Sequence, residues 1–116
     1  MHIISQLTAL ILSIMFTFGS YVPENLTIEN VPEKPQDSVR IVSFNVRCKD
    51  DMYGSVEGRS QLICSALSQY VPDSFGVQEA TAEWIEILKE NLTDYDCVSQ
   101  MRDGKGSSEA SAVFYL

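Results

Sequence analysis

The sequence has 116 residues, of which 45% are hydrophobic and 21% are charged, and its formal net charge is −8. This balance is typical of one folded globular domain and excludes a disordered chain, which would combine few apolar residues with many charges. The acidic excess argues against tight non-specific binding to nucleic acid or anionic lipid, because such binding requires a basic surface.

The first 19 residues are predicted to be a secretory signal peptide. Residues 3–18 form an uncharged apolar run, and Thr17 and Gly19 place small residues at a suitable cleavage spacing. A membrane anchor is the alternative, but the run is shorter than the roughly 20 residues of a membrane span and contains several polar residues. We therefore expect a protein of the secretory pathway, without a stable membrane anchor.

Two further features bear on a secretory route. N-glycosylation sequons begin at Asn25 and Asn91, and they fit that route in a host that glycosylates its proteins. An odd number of cysteines in a secreted chain implies a free thiol, an intermolecular bond or a partner cysteine that is absent here. The three cysteines are Cys48, Cys64 and Cys97.

Residues 20–38 combine proline with acidic residues and lack helical periodicity, which indicates an extended linker or an ordered arm. Residues 39–46 are apolar on both faces, the pattern of a buried central strand.

Pro72-Asp73 ends a helix that has a single apolar face, and Thr81 can cap a second helix. Strands are predicted over 39–46, 74–78, 96–101 and 112–116, helices over 59–70 and after Thr81, and a hairpin loop over 102–108.

The predicted order βαβαββ brings distant polar residues together. Two parallel strands joined by a helix end at the same edge of the sheet, so Asn45 and Glu79 should lie side by side. If the second helix also crosses the sheet, the hairpin then returns the chain to that edge at Glu109. Three oxygen-bearing side chains would meet there, which predicts the beginning of a metal site.

Bland interpretations of the same residues remain open. Glu79 could serve only as a negative charge before a helix, and Asn45 as a turn residue at a strand end. Asp50 and Asp51 look like a metal cluster but fit a solvated loop better. Arg102 and Lys105 could contact a phosphate but fit a charged hairpin tip better. Trp84 and Tyr70 have the positions of core residues.

The pattern of these residues resembles the opening of the endonuclease/exonuclease/phosphatase family. The resemblance covers residues 39–116 and implies the first half of a four-layer α/β sandwich of the DNase I-like fold. It also implies hydrolysis of phosphodiesters or phosphomonoesters that depends on Mg²⁺ or Mn²⁺. The matching residues are Ser43-Phe44-Asn45-Val46-Arg47, Arg59, Pro72-Asp73, Gly76-Val77-Gln78-Glu79-Ala80, Tyr95, Arg102-Asp103-Gly104 and Glu109.

The resemblance also assigns roles within the site. Glu79 would be the principal metal ligand, and Asn45 would help to hold the metal or the phosphate of the substrate. Glu109 would line the site as a catalytic residue. A carboxylate suits Mg²⁺, a hard ion that prefers oxygen ligands and retains several of its waters.

The chain departs from the family pattern in two ways. Val56 stands where close family members carry a tryptophan, and the later motifs, an Asp and Asn pair, a histidine that works with an aspartate, and a final Asp-His, are absent. The only histidine is His2, inside the predicted signal peptide. Because phosphoester hydrolysis needs a base to activate water, we predict a partial, truncated domain that is inactive by itself. The alternative is a secreted, non-catalytic acidic binding module derived from the same family.

Overall fold

The computed structural model describes residues 27–52, 54–106 and 108–116. The predicted signal peptide and Asn25, the first residue of its sequon, lie outside these residues. Within the described ranges, none of the helices has the length and apolar content that crossing a membrane requires. The chain folds in the predicted order βαβαββ, which confirms the expected α/β class. The elements are β1 (Ile41–Asn45), α1 (Val56–Tyr70), β2 (Ser74–Ala80), α2 (Ala82–Asn91), β3 (Asp96–Met101) and β4 (Ala110–Tyr115).

The four strands form one mixed sheet in the order β1-β2-β4-β3. β1 and β2 are parallel, and β4 lies antiparallel between β2 and β3, so β3 runs in the same direction as the first two strands. The prediction of a buried central strand was wrong for β1. It forms an edge of the sheet in the described part of the chain. Ile41 is 69% exposed, because it lies on the face of β1 opposite to Val42 and Phe44, which pack against the core.

Side-chain caps fix where both helices begin. α1 starts at Val56, earlier than predicted, because the Ser55 side chain accepts a hydrogen bond of 3.0 Å from the Gly58 amide. It ends at Tyr70, and the capping residue Val71, just before a proline, lies in the left-handed region with φ 44°. Thr81 caps α2 through a 3.4 Å bond from the Trp84 amide, as its sequence position predicts.

The core lies between the two helices and one face of the sheet. Alternate residues of β4 are buried and exposed, so one face of this strand contacts the helices and the other does not. Trp84 is fully buried, as predicted, whereas Tyr70 is only half-buried. The largest fully buried side chains are Trp84, Phe75, Phe114, Leu88, Val46, Val77 and Pro72.

The segment before β1 is tied to the end of the sheet away from Asn45. The Ile28 amide donates a 2.8 Å bond to the Gln69 side chain on α1. Lys34 forms an ion pair of 2.8 Å with Asp73, whose carboxylate also accepts a bond from the Arg40 amide. These bonds lower the pKa of the Asp73 carboxyl below its ordinary value, because they favour its charged form.

Candidate functional site

The side chains of Asn45 and Glu79 meet at the carboxyl end of the parallel strand pair. The Asn45 Nδ2 atom donates a hydrogen bond of 2.8 Å to the Glu79 Oε1 atom. The register of the two strands explains this contact, because Asn45 lies opposite Gln78, one residue before the glutamate. A polar pair has formed at the edge where open α/β sheets bind ligands.

Glu79 lies inside β2 rather than after its end, and its backbone is irregular. The pairing between β2 and β4 shifts between Val77 and Ala80, which marks a β-bulge, and Glu79 has φ 58°. A residue with a Cβ atom in this left-handed region is strained by roughly 1–2 kcal/mol. The bulge therefore interrupts the regular strand conformation of β2 at Glu79.

The Asn45 carboxamide is held by the backbone as well as by Glu79. Its Oδ1 atom accepts a 2.8 Å bond from the Arg47 amide, and Arg47 itself has φ 60°. The oxygen must therefore face the backbone N–H, which leaves the amino group for the carboxylate of Glu79. Asn45 is thus a residue of the turn and part of the polar pair at once.

Glu109 lies on the same open cleft, which has a volume of about 640 Å³. The hairpin between β3 and β4 brings it there, because Arg102 and Glu109 face each other across the hairpin ends with a backbone bond of 2.9 Å. Their side chains form an ion pair of 3.0 Å. The polar residues that line the cleft are Asn45, Gln78, Glu79, Gln100, Arg102, Glu109 and Ser111.

The other charged residues considered in the sequence take different places. Asp50 accepts a 2.7 Å bond from the Val56 amide at the start of α1, and Asp51 forms an ion pair of 2.6 Å with Arg47. Both aspartates therefore support the loop after β1. Lys105 is exposed at the hairpin tip, whereas Arg102 lines the cleft, as the alternative of a phosphate contact requires.

The donor set fits a weakly held hard cation. The described residues contain no cluster of three or more His, Cys, Asp or Glu side chains that could enclose a metal. Mg²⁺ does not require such a cage, because it is usually bound by one or two carboxylates together with waters and substrate phosphate. Glu79 and Glu109 could supply those carboxylates, and Asn45 orients the first of them.

The Cys48 thiol interacts with Glu109, one of the carboxylates that line this cleft. A hydrogen bond with Glu109 raises the pKa of the Cys48 thiol above its ordinary value, and desolvation and the charges of Glu109 and Glu79 add to the rise. Burial raises the pKa of the two other cysteines, Cys64 and Cys97. None of the three cysteines forms a disulfide.

We predict that Glu109→Gln will increase the rate at which iodoacetamide alkylates Cys48 at pH 8. The thiolate is the reactive form, and removing the carboxylate lowers the thiol pKa, so a larger fraction is ionised at that pH. Peptide mass spectrometry reports each cysteine separately. Cys64 and Cys97 serve as internal controls, because Glu109 does not contribute to their pKa shifts. Equal acceleration at all three cysteines would indicate partial unfolding instead.

Comparison with solved structures finds similar folds in larger proteins. An endonuclease/exonuclease/phosphatase from Bacteroides vulgatus aligns with a TM-score of 0.61 and 28% identity over 66% of this chain and 31% of its own. A family protein from Bacteroides thetaiotaomicron aligns with a TM-score of 0.57 and 31% identity over 66% of this chain and 30% of its own. A mannosyl-6-phosphatase from the same species aligns with a TM-score of 0.58 and 32% identity over 67% of this chain and 31% of its own.

These alignments make the likeness a partial one. The chain spans about a third of the length of the solved proteins that it matches. Neither a protein-family model nor a curated protein sequence matches the chain. The described fold therefore corresponds to one portion of the larger structures.

Proposed function

We propose that this chain, a partial and N-terminal-like match to an endonuclease/exonuclease/phosphatase domain of the DNase I-like fold, supplies the metal-binding corner of a phosphoester hydrolase. One observation carries the proposal. The 2.8 Å bond between Asn45 and Glu79 lies on a cleft that also contains Glu109. The likeness to a mannosyl-6-phosphatase favours a sugar phosphate as the first substrate to test.

Each residue has a defined task in this proposal. Glu79 holds Mg²⁺ or Mn²⁺ through its carboxylate, and Asn45 keeps that carboxylate turned toward the cleft by donating to Oε1. Glu109 also lines the cleft, and Arg102 holds its carboxylate by an ion pair. The divalent ion would supply Lewis-acid polarisation of a phosphoryl oxygen and stabilisation of the leaving oxygen.

Catalysis also requires a group that activates water. Histidine most often performs this task, and residues 27–116 contain none. We therefore expect the 116-residue chain to bind a divalent ion without hydrolysing phosphoesters by itself. The alternative, a non-catalytic binding module, predicts that no divalent ion binds through Glu79.

Titration of the full chain with Mn²⁺, followed by water-proton relaxation, tests the proposal. We expect weak saturable binding at one site, and we expect Glu79→Gln to reduce the affinity roughly tenfold or more, because a neutral amide replaces the charged ligand. Glu83→Gln is the matched control. It removes an equal charge from an exposed position in the first turn of α2, and it should leave the affinity unchanged.

One result would contradict the metal site, and another would contradict the expected inactivity. Equal Mn²⁺ affinity in the wild-type chain and in Glu79→Gln would show that the ion binds elsewhere on an acidic surface. Hydrolysis of a bis-aryl phosphate by the wild-type chain, lost in Glu79→Gln, would keep the metal site but refute the expected inactivity.

A further inference from the structure

An arginine on α1 is almost enclosed by the protein and is bonded mainly to backbone carbonyls. The Arg59 side chain is 13% exposed, and its Nη2 atom donates to the carbonyls of Arg47 at 2.7 Å and Lys49 at 2.8 Å. Its Nη1 atom donates to the carbonyl of Gly54. A planar guanidinium can bind three carbonyls in fixed directions, whereas a lysine ammonium is a point charge on a flexible stem.

A second donor reaches one of the same carbonyls from the other helix. The Trp84 Nε1 atom, on α2, donates a 3.2 Å bond to the Arg47 carbonyl, and the Arg59 guanidinium lies 5.9 Å from the centre of the Trp84 ring. Trp84 is fully buried, so its position is set by the core. The Arg47 carbonyl is therefore held by two side chains whose own positions are fixed by packing.

The backbone amide of Arg47 contacts the candidate site, on the Asn45 side chain. Arg47 has φ 60°, and its amide N–H donates to the Asn45 Oδ1 atom at 2.8 Å. Only the carboxamide oxygen can accept that bond, so the Nδ2 atom is turned toward the Glu79 carboxylate. Rotation of the Arg47 backbone would break the bond from its amide to Asn45 Oδ1, and the Asn45 oxygen could then face the Glu79 carboxylate.

We propose that Arg59, assisted by Trp84, is a positioning residue that fixes the Arg47 backbone and thereby the orientation of the Asn45 carboxamide toward Glu79. Arg59 does not touch the substrate, because its two Nη atoms are bonded to carbonyls and its side chain is nearly enclosed. The inference rests on the proposed function for its role in metal binding. The orientation of Asn45 is a separate property that can be measured without a metal.

The experiment compares Arg59→Met, Arg59→Lys and Trp84→Phe in the full chain. Side-chain amide resonances of Asn45 are recorded without metal by ¹H–¹⁵N NMR, and Mn²⁺ affinity is measured in parallel. We expect Arg59→Met to move the Asn45 resonances toward unbonded values and to weaken Mn²⁺ binding about tenfold. Arg59→Lys should show the same two changes as Arg59→Met, because lysine keeps the charge but lacks the planar set of donors of the guanidinium. Trp84→Phe should produce a smaller change of the same kind.

Arg40→Met is the matched control. Arg40 also donates to two backbone carbonyls, those of Tyr70 and Pro32, and lies 6.0 Å from the ring centre of Tyr70, but at the other end of the sheet. It should lower thermal stability without shifting the Asn45 resonances or the Mn²⁺ affinity. If Arg59→Met does not fold, Trp84→Phe tests the same carbonyl.

The outcomes separate this inference from the proposed function. If the wild-type chain binds no Mn²⁺ but Arg59→Met releases the Asn45 amide, the positioning role stands and the proposed function fails. If Mn²⁺ binds through Glu79 and neither Arg59→Met nor Trp84→Phe shifts the Asn45 resonances, the positioning role is refuted. Restoration of both readouts by Arg59→Lys would also refute it, since charge alone would then suffice.

Discussion

Replacing Phe75 by alanine is expected to lower the free energy of unfolding by about 3–5 kcal/mol. Phe75 is fully buried in β2, and its ring stacks on Phe114 at 4.6 Å with an angle of 4° between the planes. The edge of Tyr95 packs against it at 5.1 Å, and the Phe44 ring lies at 6.4 Å. Phe75 thus joins aromatic residues from β1, β4 and the loop after α2, and its removal leaves a cavity that none of them can fill by itself.

Urea unfolding followed by circular dichroism measures this loss. Val113→Ala is the control, because Val113 lies on β4, next to Phe114, but is 48% exposed on the other face of the sheet. We expect that variant to lose about 1 kcal/mol or less. A domain of this size has a total stability of roughly 5–15 kcal/mol, so Phe75→Ala should remove a large fraction of it. Similar losses in the two variants would show that the core is not centred on the helix-facing side of the sheet.

The class and the element order of this fold could be predicted because short segments show the apolar pattern of a strand or of a helix with one apolar face. β3 has its predicted bounds, and the hairpin returns the chain to the cleft at Glu109, as predicted from the order of the elements. The position of β1 was wrong, since apolar residues on both faces are compatible with a central strand and with an edge strand. Strand order is decided by long-range pairing, and no local pattern signals that β4 inserts between β2 and β3.

The candidate site was predictable only in part. Parallel strands end at one edge, so the meeting of Asn45 and Glu79 followed from topology, and the structure brings them to 2.8 Å. The left-handed backbone of Glu79 and of Arg47 could not be predicted, because neither residue type favours that conformation. Arg102 lines the cleft and Cys48 approaches Glu109 through loop conformations, which carry no periodic signal.

Glycine at position 79 is expected to give a more stable protein than alanine, by about 1 kcal/mol. In a regular strand the order is reversed, because glycine loses more backbone freedom on folding and destabilises by roughly 0.5–1 kcal/mol relative to alanine. At φ 58° alanine is strained by about 1–2 kcal/mol, whereas glycine adopts this conformation without strain. Both variants lose the carboxylate and its bond from Asn45, so the comparison isolates the backbone term.

Urea unfolding of Glu79→Gly and Glu79→Ala tests this, with Val98→Gly and Val98→Ala as the reference pair. Val98 lies in β3 and is 63% exposed, so it reports the ordinary preference for alanine. Both position 79 variants should also bind Mn²⁺ at least tenfold more weakly than the wild-type chain. Opposite signs at the two positions would mean that the bulge holds Glu79 in a strained backbone. The same sign at both positions would show that the backbone at 79 relaxes into a regular strand once the carboxylate is removed. The strain would then belong to the contact between Asn45 and Glu79 rather than to the sheet.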